Sequence, residues 1–483
     1  MVQFVIIPHI CNILKPIKYI LILIAVFVSG IFHACKIEDE FTTDPSAKLQ
    51  FSVDTIYFDT VFTQLDSSGV RPISVTQQIR VINPNKNAVK TNIRLSGNFP
   101  SVFRLNIDGQ STNQVYGKEI YGKDSLIIFV QCYIPAGSQN LPFIVADQIL
   151  FETNGNIQDV DLVAWGQDAN YLFNDVLNCN AGNLRWTADK PYVIYDSILV
   201  PEGCVLTIDA GARIHSYNKS SILVAGTLIV NGTANNPVIF EGTRLDGDYK
   251  ELSNQWAGIR FLPRSKDNVI TGAIIRNGYI GVEVDSQSVN SNPNLTITQS
   301  QIYNMSAVGI VGYSSHIVAV NNLISDCGQF GFFGALGGKY QLVHNTIASY
   351  NTKFNRQNPI LVFDNTPYFD QQNNIVARYN LNFELVNNIV HGSLEEEFLI
   401  NSHAQGLPIT TPIIQSNLIR TKQSSLNTNG NVLNRDPLFE NFVINDYRLK
   451  ANSPAKNTGT QTNILVDFKN NPRSNTPSMG CWE

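Results

Sequence analysis

The stretch ILVAGTLIVNGTANNPVIFEG, residues 222 to 242, alternates branched apolar side chains with small or polar ones and is interrupted at Gly226, Gly232 and Gly242. Extended back to residue 197, SILVPEGCVLTIDAGARIHSYNKSSILVAGTLIVNGTANNPVIFEG places apolar triplets near Ile198, Leu206, Ile214, Leu223, Ile229 and Ile239, with glycines at 203, 211, 226 and 232 between them. Alternation with period two marks strands, and glycine marks the turns that end them. A strand of only about three to five residues cannot bury its apolar side alone, so such units must stack on their neighbours. Coiling the chain into a parallel β-helix achieves this.

The pattern recurs downstream as NNLI (321–324), HNTI (344–347), NNIV (387–390) and SNLI (416–419). The steps are 21 residues from Ile302 to Leu323, 24 from Leu323 to Ile347, 42 from Ile347 to Ile389 and 29 from Ile389 to Leu418. Coils of roughly 20 to 30 residues are solenoid periods. The longest step is two coils, or one coil with an excursion. Asn before the apolar pair has two readings: a stacked column of amides that satisfies turn backbone groups, and tolerance of turn dihedrals.

Residues 49 to 167 differ in texture. LQFSV, TIYFDTVF, QQIRVIN, NIRLSG, VFRLNID, SLIIFVQCYI, DQILFETN and VDLVAWG are separate alternating segments with turn residues between them, such as NPNKN at 83–87 and NGN at 154–156. That spacing, with no helical period, predicts an immunoglobulin-like β-sandwich. Its single cysteine, Cys132, excludes the intersheet disulfide of antibody domains. The other reading is an N-terminal extension of the second domain.

At 483 residues, with 43% hydrophobic and 15% charged side chains, the chain is globular material rather than disordered. Lys15 and Lys18 precede the apolar run YILILIAVFV (19–28), the order of a secretory signal; a retained anchor is the competing reading. Cys35 follows Ala34 at the end of this segment, which resembles a bacterial lipoprotein signal in which the cysteine is lipidated. The following KIEDE, with Glu38, Asp39 and Glu40, is similar to the acidic export signal of Bacteroidetes lipoproteins displayed on the outer membrane. Phe32 and His33 depart from the commonest residues of that box. Acyl chains on Cys35 would hold an otherwise soluble molecule at the membrane.

Removing residues 1–34 leaves 32 basic and 39 acidic side chains, a formal charge of −7. No basic excess is available to neutralise phosphates, so nucleic acid is not an expected partner. Apart from Cys11 and Cys35, the cysteines are Cys132, Cys179, Cys204, Cys327 and Cys481, without zinc-type spacing. They pack as small apolar residues, or, for Cys179 and Cys204, form a bridge in an oxidising compartment.

Residues 178–483, and more loosely the whole mature chain, resemble the right-handed parallel β-helix repeat proteins found among Bacteroidetes lipoproteins. The likeness is carried by GCVLTIDAGARI (203–214), NQWAGIRF (254–261), the NNLI-type repeats and the tail LKANSPAKNTG to GCWE (449–483). Asn457 and Thr458 replace the acidic and small residues usual in that tail. The resemblance implies a fold and not an activity, since β-helices serve as lyases, hydrolases, adhesins and scaffolds.

The search for chemistry returns loop candidates. Hydrolases of the polygalacturonase kind need paired carboxylates, and their DD and GHG signatures are absent; His344 is expected at a turn or in the stacked interior. A lyase needs a base beside a charge-neutralising group, often carboxylate-held calcium. Asp246, Asp248 and Glu251 in RLDGDYKE start like a calcium loop, but the later ligands are missing, and a solvated loop is the plainer reading. Trp256 could present its indole for sugar stacking, with Arg260, Arg264 and Lys266 meeting an acidic glycan; the structural alternative packs Trp256 under the preceding loop. Residues 350–358 could project as an arm bearing Tyr350, Lys353 and Arg356. EEEF at 395–398 reads as a solvated edge. No Ser/His/Asp arrangement, phosphate loop or dinucleotide fingerprint is present, and the glycines of GALGGKY (334–340) read as solenoid turns.

The expectation is therefore an all-β chain: signal 1–34, acidic linker 35–48, Ig-like β-sandwich 49–170, right-handed parallel β-helix 178–440 and a C-terminal cap 441–483. It is expected to be an outer-membrane, surface-exposed lipoprotein anchored through Cys35, binding a glycan or protein, without cofactor, metal or assigned catalytic residue. Asp246, Asp248, Trp256, Arg260 and Arg356 are the candidate ligand-binding residues. A polysaccharide lyase or glycoside hydrolase with its site on the β-helix face is the alternative, and a structural envelope component the second.

Overall fold

The computed structural model describes residues 40–63, 76–97, 101–135, 142–179, 183–350 and 353–483. Cys35 and the signal region lie outside them. The chain divides into two compact units, one of Met1–Ile56, Thr76–Gln131 and Asp147–Leu162, the other of Tyr57–Val75, Cys132–Ala146 and Val163–Glu483.

Two five-stranded sheets make up the N-terminal region. One contains Gln50–Phe51, Thr76–Ile82, Ser125–Cys132, Phe103–Ile107 and Gln110–Ser111; the other contains Thr55–Phe62, Asn156–Gln167, Phe143–Thr153, Val89–Leu95 and Gln114–Ile120. The longer strands bury alternate residues, as in Ser125–Cys132, where Leu126, Ile128, Val130 and Cys132 face inward. The inner faces meet, with the Phe51 and Phe151 rings 4.7 Å apart, which is the packing of a β-sandwich. The sandwich also has a strand, Gln114–Ile120, that the alternation did not reveal.

The second region is a right-handed parallel β-helix, the hand that parallel crossovers take, built from three ladders that supply three faces. The first face stacks Asn183–Trp186, Val205–Asp209, Thr227–Asn231, Asn268–Thr271, Leu295–Thr298, His316–Val320, Gly338–Val343, Leu381–Val386 and Ile413–Gln415. The second stacks Arg213–Ser216, Val238–Gly242, Ala273–Arg276, Gln301–Tyr303, Leu323–Ser325, Thr346–Ser349, Ile389–Gly392 and Leu418–Ile419. The third stacks Ser221–Val224, Gly258–Phe261, Ile280–Val284, Val308–Tyr313, Phe330–Ala335, Leu361–Asp364 and Phe398–Asn401. Coiling begins with Asn170–Val176 paired in parallel to Tyr192–Val200, ahead of residue 178, where the repeat first becomes legible.

The interior is a set of apolar columns. Ile214, Phe240, Ile275, Ile302, Ile324, Ile347, Val390 and Ile419 line the second face, all within 1% of complete burial. Ile347 thus stacks on Ile324, and Leu323 pairs with Thr346, the register of the tetrads, so that coil is one residue shorter than the Leu323-to-Ile347 step of 24. Thr346–Ser349 pairs directly with Ile389–Gly392, so the long step is one coil with an excursion. The glycines between residues 197 and 242 have distinct reasons. Gly211 has φ 82°, a left-handed turn. At Gly226 a Cβ would collide with the carbonyl oxygens of Pro201 and Cys204 on the coil below.

Both readings of the repeated asparagine hold, at adjacent positions. Asn321, His344, Asn387 and Ser416, the first residues of the four tetrads, have φ of 54°, 56°, 57° and 53°. The second residues form a buried amide column: the side chains of Asn322, Asn345, Asn388 and Asn417 each donate to the next Oδ1, at 3.0, 3.0, 3.1 and 3.1 Å, ending at Asn431. The same Oδ1 atoms accept the backbone N–H of the preceding coil.

The C-terminal residues are a strap along the side of the helix rather than a cap over its end. Phe439, Tyr447, Ala455, Phe468, Met479 and Cys481 bury themselves against Leu323, Ala348, Ile389 and Leu418, which point outward from the coils and need a cover. Gln299 donates to the Asp467 carbonyl (3.1 Å), Asn321 to Val466 (2.8 Å), Asn387 to Thr460 (2.7 Å), and Lys469 reaches the Ala234 carbonyl (2.8 Å). Cys179 and Cys204 form a disulfide across the first coils, while Cys132, Cys327 and Cys481 are free and buried. Among the described residues no helix is long and apolar enough to cross a membrane.

Candidate functional site

In a parallel β-helix, residues in register on successive coils form a line along the axis, so each face displays columns of side chains. On the second face one outward column runs His215, Glu241, Arg276, Tyr303, Ser325, Ala348, His391 and Arg420. Pairing aligns His215 with Glu241, Arg276 with Tyr303, Tyr303 with Ser325, Ser325 with Ala348, and Ala348 with His391. Arg420 follows Ile419, the partner of Val390, and so stands beside His391.

The early part of this column is closed on itself. Glu241 accepts from Arg276 at 2.6 Å, Arg276 donates to the Tyr303 hydroxyl at 3.1 Å, and His215 Nδ1 lies 3.5 Å from Glu241 under the Phe62 ring. Burial lowers the pKa of His215 and raises that of Tyr303. The middle is small and covered: Ala348 and Tyr447 belong to one buried apolar cluster, and the Tyr447 hydroxyl lies 3.5 Å from Asp326 Oδ2.

The later part is open. His391 and Arg420 border a cavity of about 1090 Å³, together with Tyr350, Lys422, Asp436, Phe439, Phe442 and Lys450. A second cavity of about 420 Å³ lies against Glu251, Tyr303, Asn304, Asp326 and Lys353, and shares Tyr350 and Phe442 with the first. The Tyr350 and Phe442 rings stack at 4.5 Å, and Phe439 meets Tyr350 edge-on at 6.2 Å. Phe442 begins a single 3-10 turn, Phe442–Ile444, in the C-terminal hairpin, where Val443 and Ile444 are 79% and 70% exposed.

Tyr350 and His391 are a hydrogen-bonded pair. The phenol oxygen is 2.6 Å from His391 Nδ1. Burial pushes the imidazole down to about 4 and the phenol well above its usual value, so both are neutral at pH 7. A neutral phenol and imidazole in contact can offer hydrogen bonds to a ligand. Arg420 donates to the Gly392 carbonyl at 2.7 Å, Lys422 pairs with Glu395 at 2.9 Å, and Asp436 Oδ1 accepts the Leu438 N–H at 2.9 Å. Among the described residues neither Arg420 nor Lys450 makes an ion pair.

Among the described side chains, the loop candidates read from sequence are each held by a partner of their own. Asp246 is buried and bound by Arg244 at 2.8 Å; the Asp248 side chain lies outside the described residues. Arg260 is held by Asp285 (2.8 Å) and Glu283 (3.8 Å) on the third face. Trp256 is 1% exposed and donates its Nε1–H to the Arg276 carbonyl at 2.9 Å, so its indole packs under the loop and offers no sugar platform. Arg356 is also withdrawn from ligand: the excursion folds back instead of projecting, and both guanidinium nitrogens donate to Glu397, at 2.7 and 2.6 Å, with the pair buried. Glu397 therefore corrects the solvated reading of EEEF, because its carboxylate also accepts the Ile360 and Leu394 N–H groups. Among the described residues no group of three His, Cys, Asp or Glu side chains is placed to hold a metal.

Sequence reasoning missed His391 and Arg420, although a signal for them existed. Aligned on the second asparagine, the tetrads extend to NNLIS, HNTIA, NNIVH and SNLIR, whose last letters are the column residues Ser325, Ala348, His391 and Arg420.

The profile of the family described as the pectate-lyase-like β-helix domain matches residues 178–284, within the parallel coils. No curated protein matches the sequence. Among solved structures, the ASH / PapD-like domain of human CEP192 matches at 12% identity and TM-score 0.18, covering 29% of this chain and 96% of that one. The catalytic unit of the GH87 α-1,3-glucanase from Streptomyces thermodiastaticus matches at 11% identity and TM-score 0.24, covering 71% and 80%. A GH87 α-1,3-glucanase catalytic domain in complex with nigerose matches at 13% identity and TM-score 0.23, covering 72% and 82%.

Proposed function

We propose that this protein is a glycan-binding β-helix scaffold, anchored through lipid on Cys35 and displayed at the outer membrane surface, with its binding site in the open part of the second face. The observation that carries the reading is the Tyr350–Phe442 stack between two cavities, bordered by the cations Arg420 and Lys450. Aromatic faces are sugar platforms, and convergent polar groups around them give orientation. The pectate-lyase-like description of the matched family is in keeping with a carbohydrate ligand. A glycan array probed with the detergent-solubilised full chain tests this. Binding that Phe442→Ala weakens supports it; binding of protein partners only, or of nothing, favours a protein adhesin or a structural envelope component.

Surface display has its own test. Protease added to intact cells removes a displayed protein, and full protection places it on the periplasmic side. Cys35→Ser releases it from the membrane fraction if lipid is the anchor.

A second reading, cleavage of the bound glycan, is favoured by the Tyr350–His391 contact in the larger cavity. Release of new reducing ends from a bound polysaccharide, abolished in His391→Gln while binding persists, would establish it.

A further inference from the structure

We infer that the smaller cavity of the second face is a site for a primary alkylammonium group, taken between Asn304 Oδ1 and the carboxylate of Asp326. This goes beyond the glycan reading and does not depend on it.

The site arises from a break in a column of turn residues. Asn277, Asn304 and Asp326 each follow a strand of the second face, at φ 64°, 55° and 50°. Pairing of Arg276 with Tyr303 and of Tyr303 with Ser325 sets the three in line on successive coils. Asn277 Nδ2 donates to the Lys250 carbonyl at 2.6 Å, and Asn304 Nδ2 donates to Asn277 Oδ1 at 2.7 Å and to the Glu251 carbonyl at 2.9 Å. These acceptors fix the Asn304 amide with its nitrogen towards the preceding coil, so its oxygen is turned to the following one. A third asparagine there would donate to it. Asp326 stands in that place instead, and a carboxylate has no N–H to give. Asn304 is 5% exposed, and its Oδ1 has no hydrogen-bond partner among the described residues. A buried acceptor left unmade is costly, and a donor supplied from outside the chain removes that cost.

The surroundings select a cation that carries N–H groups and an apolar stem. Asn304 and Asp326 both border the cavity of about 420 Å³, as do Glu251 and Lys353. Two acids against one base leave its lining with one formal negative charge, which a single cation neutralises. Lys353 is directed elsewhere, its Nζ lying 3.5 Å from the Glu251 carbonyl. Tyr303, Tyr350 and Phe442 supply aromatic surface for methylenes and for the charge itself. Such a cavity is larger than a bare ion needs, and among the described residues no group of three His, Cys, Asp or Glu side chains is placed to hold one. An ammonium brings three donors, enough to bond the amide oxygen and the carboxylate together.

The test is calorimetric titration of the detergent-solubilised full chain with butylamine, 1,4-diaminobutane and Nα-acetyl-lysine amide, against butanol, tetramethylammonium and potassium chloride at equal ionic strength. The primary amines should bind and the controls should not, because butanol lacks the charge and tetramethylammonium and potassium lack N–H donors. The amine arms distinguish a free amine from a lysine side chain as the source of the group. Asp326→Asn supplies the missing donor from within the chain and removes the charge, so it should lower amine affinity on the order of tenfold or more. Lys353→Gln takes away the competing ammonium and should raise amine affinity severalfold, a gain that a folding defect cannot imitate. Tetramethylammonium or butanol binding as tightly as butylamine overturns the inference, as does amine affinity that Asp326→Asn leaves unchanged. Failure of every amine to bind overturns it too, and a glycan array read on the same preparation shows whether the glycan reading stands by itself.

Discussion

Asn345→Leu separates the two roles of the repeated asparagine. Asn345 is fully buried, and its Oδ1 accepts both the backbone N–H and the side-chain N–H of Asn322, each at 3.0 Å. Its Nδ2 donates to the Ala319 carbonyl at 2.9 Å and to Asn388 Oδ1 at 3.0 Å. Leucine is similar in volume, so the loss is not one of packing. The Asn388 oxygen keeps its bond from the Asn345 backbone N–H, at 2.8 Å. The two Asn322 donors have no replacement, and each buried group left unmade costs ~1–3 kcal/mol. The expected destabilisation is about 3–5 kcal/mol, a large share of the ~5–15 kcal/mol by which domains are usually stable. Urea unfolding followed by circular dichroism measures it, with Asn382→Leu, exposed on the first face, as a control expected within ~0.5 kcal/mol of wild type. A loss below about 1 kcal/mol with an unchanged urea slope would mean that the column does not support the coils and that asparagine is there only for its turns.

Three further outcomes follow from the buried pairs. Removing one partner of Arg356–Glu397, as in Glu397→Gln, should cost about 3–5 kcal/mol, whereas Arg356→Met with Glu397→Leu should recover much of that, because no unpaired charge is left inside; thermal melts of the single and double variants decide it. Burial holds His344 and His391 down at about 3 and about 4. Below pH ~6.5 the unfolded chain binds protons that the fold refuses, so their contribution is complete above that pH and is lost as pH falls towards 4; His391→Gln should flatten the stability profile in that window. Reducing the Cys179–Cys204 bridge, which closes a separation of 25 residues, should cost about 3 kcal/mol, read as a lower melting point with dithiothreitol and no such shift in a Cys179→Ala/Cys204→Ala variant.

Two features of the fold were legible in the residues because they are local. Alternation over a few positions, and glycine or asparagine where the chain must turn, depend on neighbours in sequence, and they pointed to short strands that need stacking. The sandwich was legible for the same reason, except for Gln114–Ile120, whose polar QVYGKEI buries little beyond Ile120. The NNLI repeats even contained the outward column, since a constant offset from the buried asparagine leads to His391 and Arg420.

What tertiary structure alone decided was which side chains meet across coils of unequal length. Glu397, in an acidic run that reads as solvated, is buried because Arg356 arrives from an excursion 41 residues earlier. The tail, similar in sequence to a terminal cap, runs along the flank because Leu323, Ala348, Ile389 and Leu418 face outward there. Tyr350 and Phe442 form one platform although 92 residues separate their numbers. Sequence specifies periodicity and turn chemistry, which act over a few residues; a site on a solenoid is made from contacts between coils, and their partners are set by the register in which the coils finally pack.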